Sequence, residues 1–319
     1  MNSSPHISVM VNEVVDALAP RNGAIYVDAT FGAGGYSRAL LGAADCTVWG
    51  IDRDPLAIAI GEDLAKAHGR RLTVLSGRFG DMETLLADVG VKQVDGIVLD
   101  LGVSSMQIDD PARGFSFRAD GPLDMRMNNA DGDAETAADV VNRMAERELA
   151  DIIYIYGEER ASKRIAHAIV QLRDKEQIKR TEQLAALVRR VVRKSKDGID
   201  PATRTFQALR IYVNDELHEL EKGMSAAESV LAPGGRLAVV SFHSLEDRRV
   251  KLFMQERAGQ SPRPSRHMPE LQTKNALTFR LIKRGAVKPR MEESSRNPRA
   301  RSARLRWAER TDTPIQDAA

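Results

Sequence analysis

The sequence predicts an α/β fold in which a largely parallel sheet, covered on both faces, is interrupted by a helical insert. Three observations predict it. Short β-branched runs alternate with helix-patterned segments up to Asp100, the pattern of parallel strands joined by crossover helices. A glycine-rich loop follows the first strand, and an acid ends the second. Strand character then disappears over about residues 109–205 and returns at Arg236.

Ile25-Tyr26-Val27-Asp28-Ala29-Thr30 reads as a buried strand, because β-branched and aromatic residues suit a pleated, packed surface. The glycines from Gly32 turn the chain, and Tyr36 to Leu41 starts a helix. Cys46–Asp52 is the second strand and Pro55–His68 the second helix. Leu72–Leu75 and Asp95–Asp100 are the third and fourth strands. Residues 109–132 have no period and are rich in Asp, Gly, Arg and Pro, so they read as a long loop of the kind that carries function. A helical pattern runs from Thr136 to about Ser195 and opens with Thr136 and Asp139 as a capping box. Within it Leu184, Leu187, Val188, Val191 and Val192 share one face. Thr203–Leu220 reads as one more long helix. Arg236–Phe242 is a strand after Pro233-Gly234-Gly235, Ser244 with Asp247 caps the helix through Met254, and Thr278–Lys283 and Ala303–Trp307 are the last strands. The expected domains are a discontinuous core, 1–108 and 206–319, and an insert, 109–205, assigned to substrate recognition.

Composition narrows the function classes. The 319 residues carry a net charge of +2, with 42% hydrophobic and 29% charged residues, the profile of a soluble globular chain. One cysteine, Cys46, excludes an internal disulfide and a multi-cysteine zinc site. The six histidines show no His-Glu-x-x-His spacing, so no protein-bound metal is expected. Residues 1–6 lack a basic and then apolar run, so no signal peptide is read, and no stretch approaches the roughly 18 apolar residues of a membrane span. The cytoplasm is the expected compartment. Charge is uneven: residues 257–319 hold fifteen basic and six acidic side chains, whereas residues 1–256 hold thirty-two and thirty-nine. A basic segment on an acidic body suits a nucleic acid, though a solvated surface gives the same pattern.

The most informative local feature is Gly32-Ala33-Gly34-Gly35 between a strand and a helix. Glycines there allow close backbone approach to a ligand, and the helix start offers N–H groups. Asp52, eighteen residues after Gly34, is placed to accept both hydroxyls of a ribose. Dinucleotides and S-adenosylmethionine share this arrangement. The dinucleotide pattern wants a glycine at position 37, where Ser37 stands, and no hydride-transfer site is visible. The methyltransferase pattern, Asp-x-Gly-x-Gly-x-Gly, is matched from Asp28 with Thr30 in the first glycine place. Phe79 and Asp81, after the third strand, are candidates for an adenine ring and its amino group. Asp100, ending the fourth strand, is placed for the reactive end, with Gln107 close by in sequence. Cys46 starts the second strand, the wrong end for a nucleophile acting at cytosine C5.

Several longer stretches add specificity: Asp52-Arg53-Asp54-Pro55, Asp100-Leu101-Gly102-Val103-Ser104-Ser105, Gly121-Pro122-Leu123-Asp124-Met125-Arg126, the segment Thr203–Ile211, Ser241-Phe242-His243-Ser244-Leu245-Glu246-Asp247-Arg248, and Asn297-Pro298-Arg299 through Arg306. With the glycine loop they closely resemble the bacterial small-subunit ribosomal RNA cytidine N4-methyltransferase family, known as RsmH or MraW, from about His6 to Trp307. The resemblance implies a Rossmann-like S-adenosylmethionine-dependent methyltransferase fold with an inserted helical domain. It implies methyl transfer to the exocyclic N4 of one cytidine in the decoding region of 16S rRNA. It assigns the cofactor to Gly35, Tyr36, Ser37, Asp52, Phe79, Asp100 and Gln107; Tyr36 stands where the family often has His. Asp100 is the first candidate to accept the N4 proton, ahead of Asp124 and His243. Phe115 and Phe117 are candidates to stack on a base, with buried anchoring of the loop expected for at least one of them, and Arg299, Arg301, Arg304 and Arg306 are candidates to contact phosphates. An N-methyltransferase of DNA, a nicotinamide-dependent oxidoreductase and a non-catalytic RNA-binding module are the alternatives.

Overall fold

The computed structural model describes residues 8–128, 132, 134–194, 198–260 and 277–315. The N-terminal residues read for a signal peptide and the expected helix end at Ser195 lie outside them. The chain divides into two compact units, Met1–Gly102 with His218–Ala319 and Val103–Leu217. The helical unit thus has wider bounds than 109–205. The reason is packing: Phe206 and Leu209 belong to its apolar core, and Val103 packs against that core.

In chain order the elements are α1 (Val11–Leu18), β1 (Ile25–Asp28), α2 (Gly35–Ala43), β2 (Thr47–Asp52), α3 (Pro55–His68), β3 (Leu72–Ser76), α4 (Met82–Asp88) and β4 (Val94–Asp100). The helical unit follows with α5 (Ser105–Asp109), α6 (Ala137–Arg143), α7 (Glu146–Gly157), α8 (Ser162–Arg173), α9 (Thr181–Val191) and α10 (Ala202–Asn214). Then come α11 (Glu216–Val230), β5 (Leu231–Ser241), α12 (Ser244–Arg257), β6 (Phe279–Leu281), α13 (Met291–Arg296) and β7 (Arg304–Arg310).

Among the described residues one sheet has the order β3-β2-β1-β4-β5-β7-β6. The first five strands are parallel and β7 is antiparallel to β5 and β6. Alternation along each strand feeds two cores. Ile97, Leu99, Leu237 and Val239 enter one with Met82, Leu220 and Phe253; Val98, Ala238 and Val240 enter the other with Val14, Tyr36 and Leu40. The chain reverses its winding between β1 and β4. The carboxyl ends of strands at such a switch point form the ligand crevice of open α/β sheets.

The structure corrects four expected elements. The helix Thr203–Leu220 breaks at Asp215, which takes a left-handed conformation (φ 51°) and ends α10. Asn214, next to the break, is buried and donates to the carbonyls of Met125 and Arg210. The cap of α12 is His243 with Glu246 rather than Ser244 with Asp247: His243 Nδ1 accepts from the Glu246 N–H, and Glu246 accepts from the N–H groups of Phe242 and His243. β5 starts at Leu231 and runs through Pro233-Gly234-Gly235, where its register on β4 shifts. The last strand is longer than Ala303–Trp307 and runs Arg304–Arg310, because β6 pairs with its second half.

The loop of residues 109–128 is held within the helical unit by buried polar bonds. Arg113, 7% exposed, donates to the carbonyls of Arg126 and Met127. Asn214 accepts from the Met127 N–H at 2.8 Å, and Thr181 accepts from the Gly121 N–H at 3.0 Å. Met125 sits at a positive φ of 65°, a conformation tolerated because these bonds fix both sides of it.

Candidate cofactor site

Three carboxylates end adjacent parallel strands: Asp52 on β2, Asp28 on β1 and Asp100 on β4. The glycine loop lies among them. Phe31 leaves β1 and fills the space beside Gly50, Gly61 and Gly34; a Cβ at Gly34 would lie 2.7 Å from its ring, and Gly34 has φ +72°. The loop is therefore tight because an aromatic ring occupies the room that side chains would need. Gly35 opens α2, and the Ser8 hydroxyl stands where its Cβ would be.

Asp52 accepts the Gly32 N–H at 2.8 Å and the Asp54 N–H at 2.9 Å, so it ties the glycine loop to the turn after β2. Asp54 caps α3 by accepting the Leu56 N–H, with Pro55 in the first helical turn. Thr30 stands in the motif's first glycine place for a reason visible in the structure. Its hydroxyl accepts the Asp100 N–H at 2.6 Å and joins the ends of β1 and β4.

Asp28 is fully buried, and its Oδ2 accepts both the backbone N–H and the hydroxyl of Ser37, at 3.1 and 2.7 Å. Ser37 thus directs its polar groups to Asp28. Asp28 Oδ1 and Asp100 Oδ1 are buried with no hydrogen-bond partner among the described residues. Burial pushes the Asp28 carboxyl up to about 7, partly offset by the Ser37 bonds. Burial also holds Asp100 well above the usual carboxylate range, and repulsion from Asp28 adds to it. Asp52 is raised as well, by burial first. Buried carboxyl oxygens without a partner, on groups that resist ionisation, mark a candidate functional site, and a cationic ligand would favour their charged form. The donor set fits a cationic nucleoside such as S-adenosylmethionine, with Asp52 for its hydroxyls.

Tyr36 is buried, and its hydroxyl donates to the Val9 carbonyl at 2.5 Å. Phe79 packs against the backbone of α11 at Gly223, where a Cβ would lie 2.3 Å from the ring. The turn that carries Phe79 is fixed by Glu219, buried, which accepts the Gly80 N–H at 2.7 Å. Sequence reasoning missed Glu219; a glutamate mid-helix carries no local signal of a buried role. Asp81 is engaged by Lys222 at 3.1 Å on the surface.

Gln107, Asp124, Phe115 and Phe117 belong to the helical unit. Gln107 is in the helical unit, where its side-chain oxygen accepts the Ser104 N–H and closes a capping box at the start of α5. Asp124 makes a bidentate pair with Arg126, both bonds 2.8 Å. Phe117 packs edge-on against Phe206 with ring centres 4.8 Å apart, and Phe115 is buried in the same core. Arg306 is committed to Asp247 at 2.7 and 3.0 Å. Cys46 is buried just before β2, at the opposite end of that strand from Asp52.

Fold and site define a doubly wound α/β protein with three carboxylates at the sheet's switch point. Residues 3–311 match the MraW methylase family, and the chain belongs to that family. Its similar relatives include ribosomal RNA small subunit methyltransferase H of Paramagnetospirillum magneticum, 59% identical over 98% of each chain. The protein of that name from Rhodospirillum centenum is 64% identical over 98% of this chain and 94% of its own. That from Rhodospirillum rubrum is 56% identical over 98% of this chain and 96% of its own.

Proposed function

We propose that the protein transfers a methyl group from S-adenosylmethionine to the exocyclic N4 of a cytidine in the decoding region of 16S rRNA. The observation that carries the reading is the pair of buried, orphaned carboxyl oxygens of Asp28 and Asp100 at the β1–β4 switch point, beside the nucleoside acid Asp52. Membership of a methylase family and the names of the relatives support it.

Gly35, Tyr36, Ser37, Asp52, Phe79 and Asp100 are the residues proposed to hold the cofactor, and the family resemblance adds Gln107. The bound cofactor supplies an electrophilic methyl group on a cationic sulfur. Asp52 accepts hydroxyls while keeping the glycine loop closed. Asp28, held by Ser37, lends negative charge that a cationic ligand calls out by lowering its affinity for a proton. Asp100, ionised where a cationic ligand offsets its burial, accepts an N4–H bond, which favours the attacking geometry of the amino nitrogen, and takes the proton that the nitrogen must lose. N4 lies inside a paired helix, so the target cytidine is unpaired or flipped out. The helical unit is proposed to recognise RNA, supported by the long loop it holds firmly. No helix among the described residues is long and apolar enough to cross a membrane, and action in the cytoplasm is part of the proposal.

The test is Asp100→Asn. Cofactor binding by calorimetry weakens, and single-turnover methylation at saturating cofactor still falls by about two or more orders of magnitude, the size of a lost general base. Turnover retained with cofactor bound removes Asp100 from the proton step.

A further inference from the structure

A cavity opens in the sheet-bearing unit, at the edge where β5 passes into α12. It encloses about 500 Å³ and is lined by Arg248, Lys251, Lys288, Arg301 and Arg304, with Ser244 at the start of α12. Asp247 is its one acid among the described residues, and Asp247 pairs with Arg306 through two short bonds. Among the described residues no carboxylate pairs with Lys251, Lys288, Arg301 or Arg304. All four are exposed, so the cavity presents long, flexible cations in a concave wall rather than a flat charged face. The start of a fourteen-residue helix adds the positive end of its dipole.

Three stretches far apart in sequence build this wall: 242–251, Lys288 and 301–304. Short fixed turns hold them. Val287 pairs with Leu305 by two backbone bonds of 2.8 and 2.9 Å, which sets Lys288 beside β7. Asn297 accepts the Arg299 N–H and starts the 3-10 turn that carries Arg301. The cavity also has a fixed relation to the cofactor site within the same unit. Asp100 is in register with Val240 of β5, and the cavity begins at Phe242, two residues further along that strand's path.

We propose that this cavity binds backbone phosphate of the RNA strand that presents the target nucleotide. The inference rests on the methyltransferase reading above. A strand entering the cofactor crevice at β4 crosses β5 and α12 next, and there it meets Lys251, Lys288, Arg301 and Arg304, with which no carboxylate pairs among the described residues. Long, flexible cations suit phosphate oxygens and read no base, so the site positions the strand and leaves base choice to the crevice. Arg306, one of the arginines expected to touch RNA, pairs with Asp247, the cavity's one acid among the described residues.

The experiment compares the full chain with a pocket variant, Lys251→Gln/Lys288→Gln/Arg304→Gln. A control variant, Lys66→Gln/Arg70→Gln/Lys92→Gln, loses equal charge at exposed sites away from the cavity. RNA binding is measured by filter retention of a small-subunit rRNA fragment over a salt series, alongside cofactor affinity and steady-state methylation. The pocket variant is expected to bind RNA about tenfold more weakly, with a log–log salt slope lower by about one. Its loss in methylation falls on the KM for RNA, and its cofactor affinity is that of the parent. Pocket and control variants behaving alike would overturn the proposal. So would full displacement of RNA by inorganic phosphate at millimolar concentration, which would make the cavity a free-anion site. If the parent chain binds rRNA in this pocket-dependent way yet methylates nothing, the methyltransferase reading fails while the phosphate site stands.

Discussion

Asp28 gives the most quantitative handle on the site. Its carboxyl sits at about 7 in the folded chain against an ordinary 3.8, because burial outweighs its two bonds from Ser37. Below about pH 4 both folded and unfolded chains hold the proton, and the contribution to stability is complete. As pH rises the unfolded chain ionises first, so stability is lost up to about pH 7 and is flat above it. The rise from 3.8 to about 7 corresponds to about 4 kcal/mol over that window, of which about 3 kcal/mol falls between pH 5 and pH 8. Asp28→Asn removes the titration. The variant carries a pH-independent cost for weakened Ser37 bonds, yet the gap between it and the parent closes by about 3 kcal/mol from pH 5 to pH 8. Urea unfolding of both cofactor-free chains at matched pH values measures the gap. A gap that stays constant across this range refutes the claim that the carboxyl is held neutral, and with it the electrostatic basis of the cation site.

Other consequences are smaller in scope. Gly34→Ala places a methyl group against Phe31 and Leu64 at a positive φ, so it destabilises by about 1–3 kcal/mol and weakens cofactor affinity; calorimetry reads both. Asn214→Ala leaves the Met127 N–H and the Met125 carbonyl without their partner, at a cost of about 2–4 kcal/mol, and hydrogen exchange at Met127 becomes fast. Cys46 is buried, its thiol pushed up by burial, so a thiol-directed reagent reacts with it only when the chain unfolds.

Much of the fold was legible because its signals are local. β1, β2, β3 and β4 are β-branched runs between glycine or proline turns, and strands of a two-sided sheet need no alternation to be seen. The glycine loop and Asp52 were legible because close backbone approach leaves few residue choices. What escaped depends on partners far along the chain. Asp215 breaks a helix whose apolar pattern continues past it, and the loop bonds of Asn214, made 87 and 89 residues away, stand beside that break. Glu246 displaces Asp247 as the capping acid because Ser244 is already the first helical residue, one position earlier than a cap at Ser244 implies. Glu219 and Thr30 act on backbone N–H groups 139 and 70 residues distant, which no spacing rule reports. Phe115 lies in the core of the helical unit and Phe117 packs against it, in keeping with the loop anchoring expected for at least one of them.

The central claim is methyl transfer to cytidine N4 in small-subunit rRNA. The direct measurement is incubation of the protein with isotope-labelled S-adenosylmethionine and small ribosomal subunits that lack the modification, followed by mass spectrometry of the nucleosides. The expected result is label in N4-methylcytidine, at a single position, and its loss with Asp100→Asn. Label in another nucleoside, or none with cofactor bound, contradicts the claim.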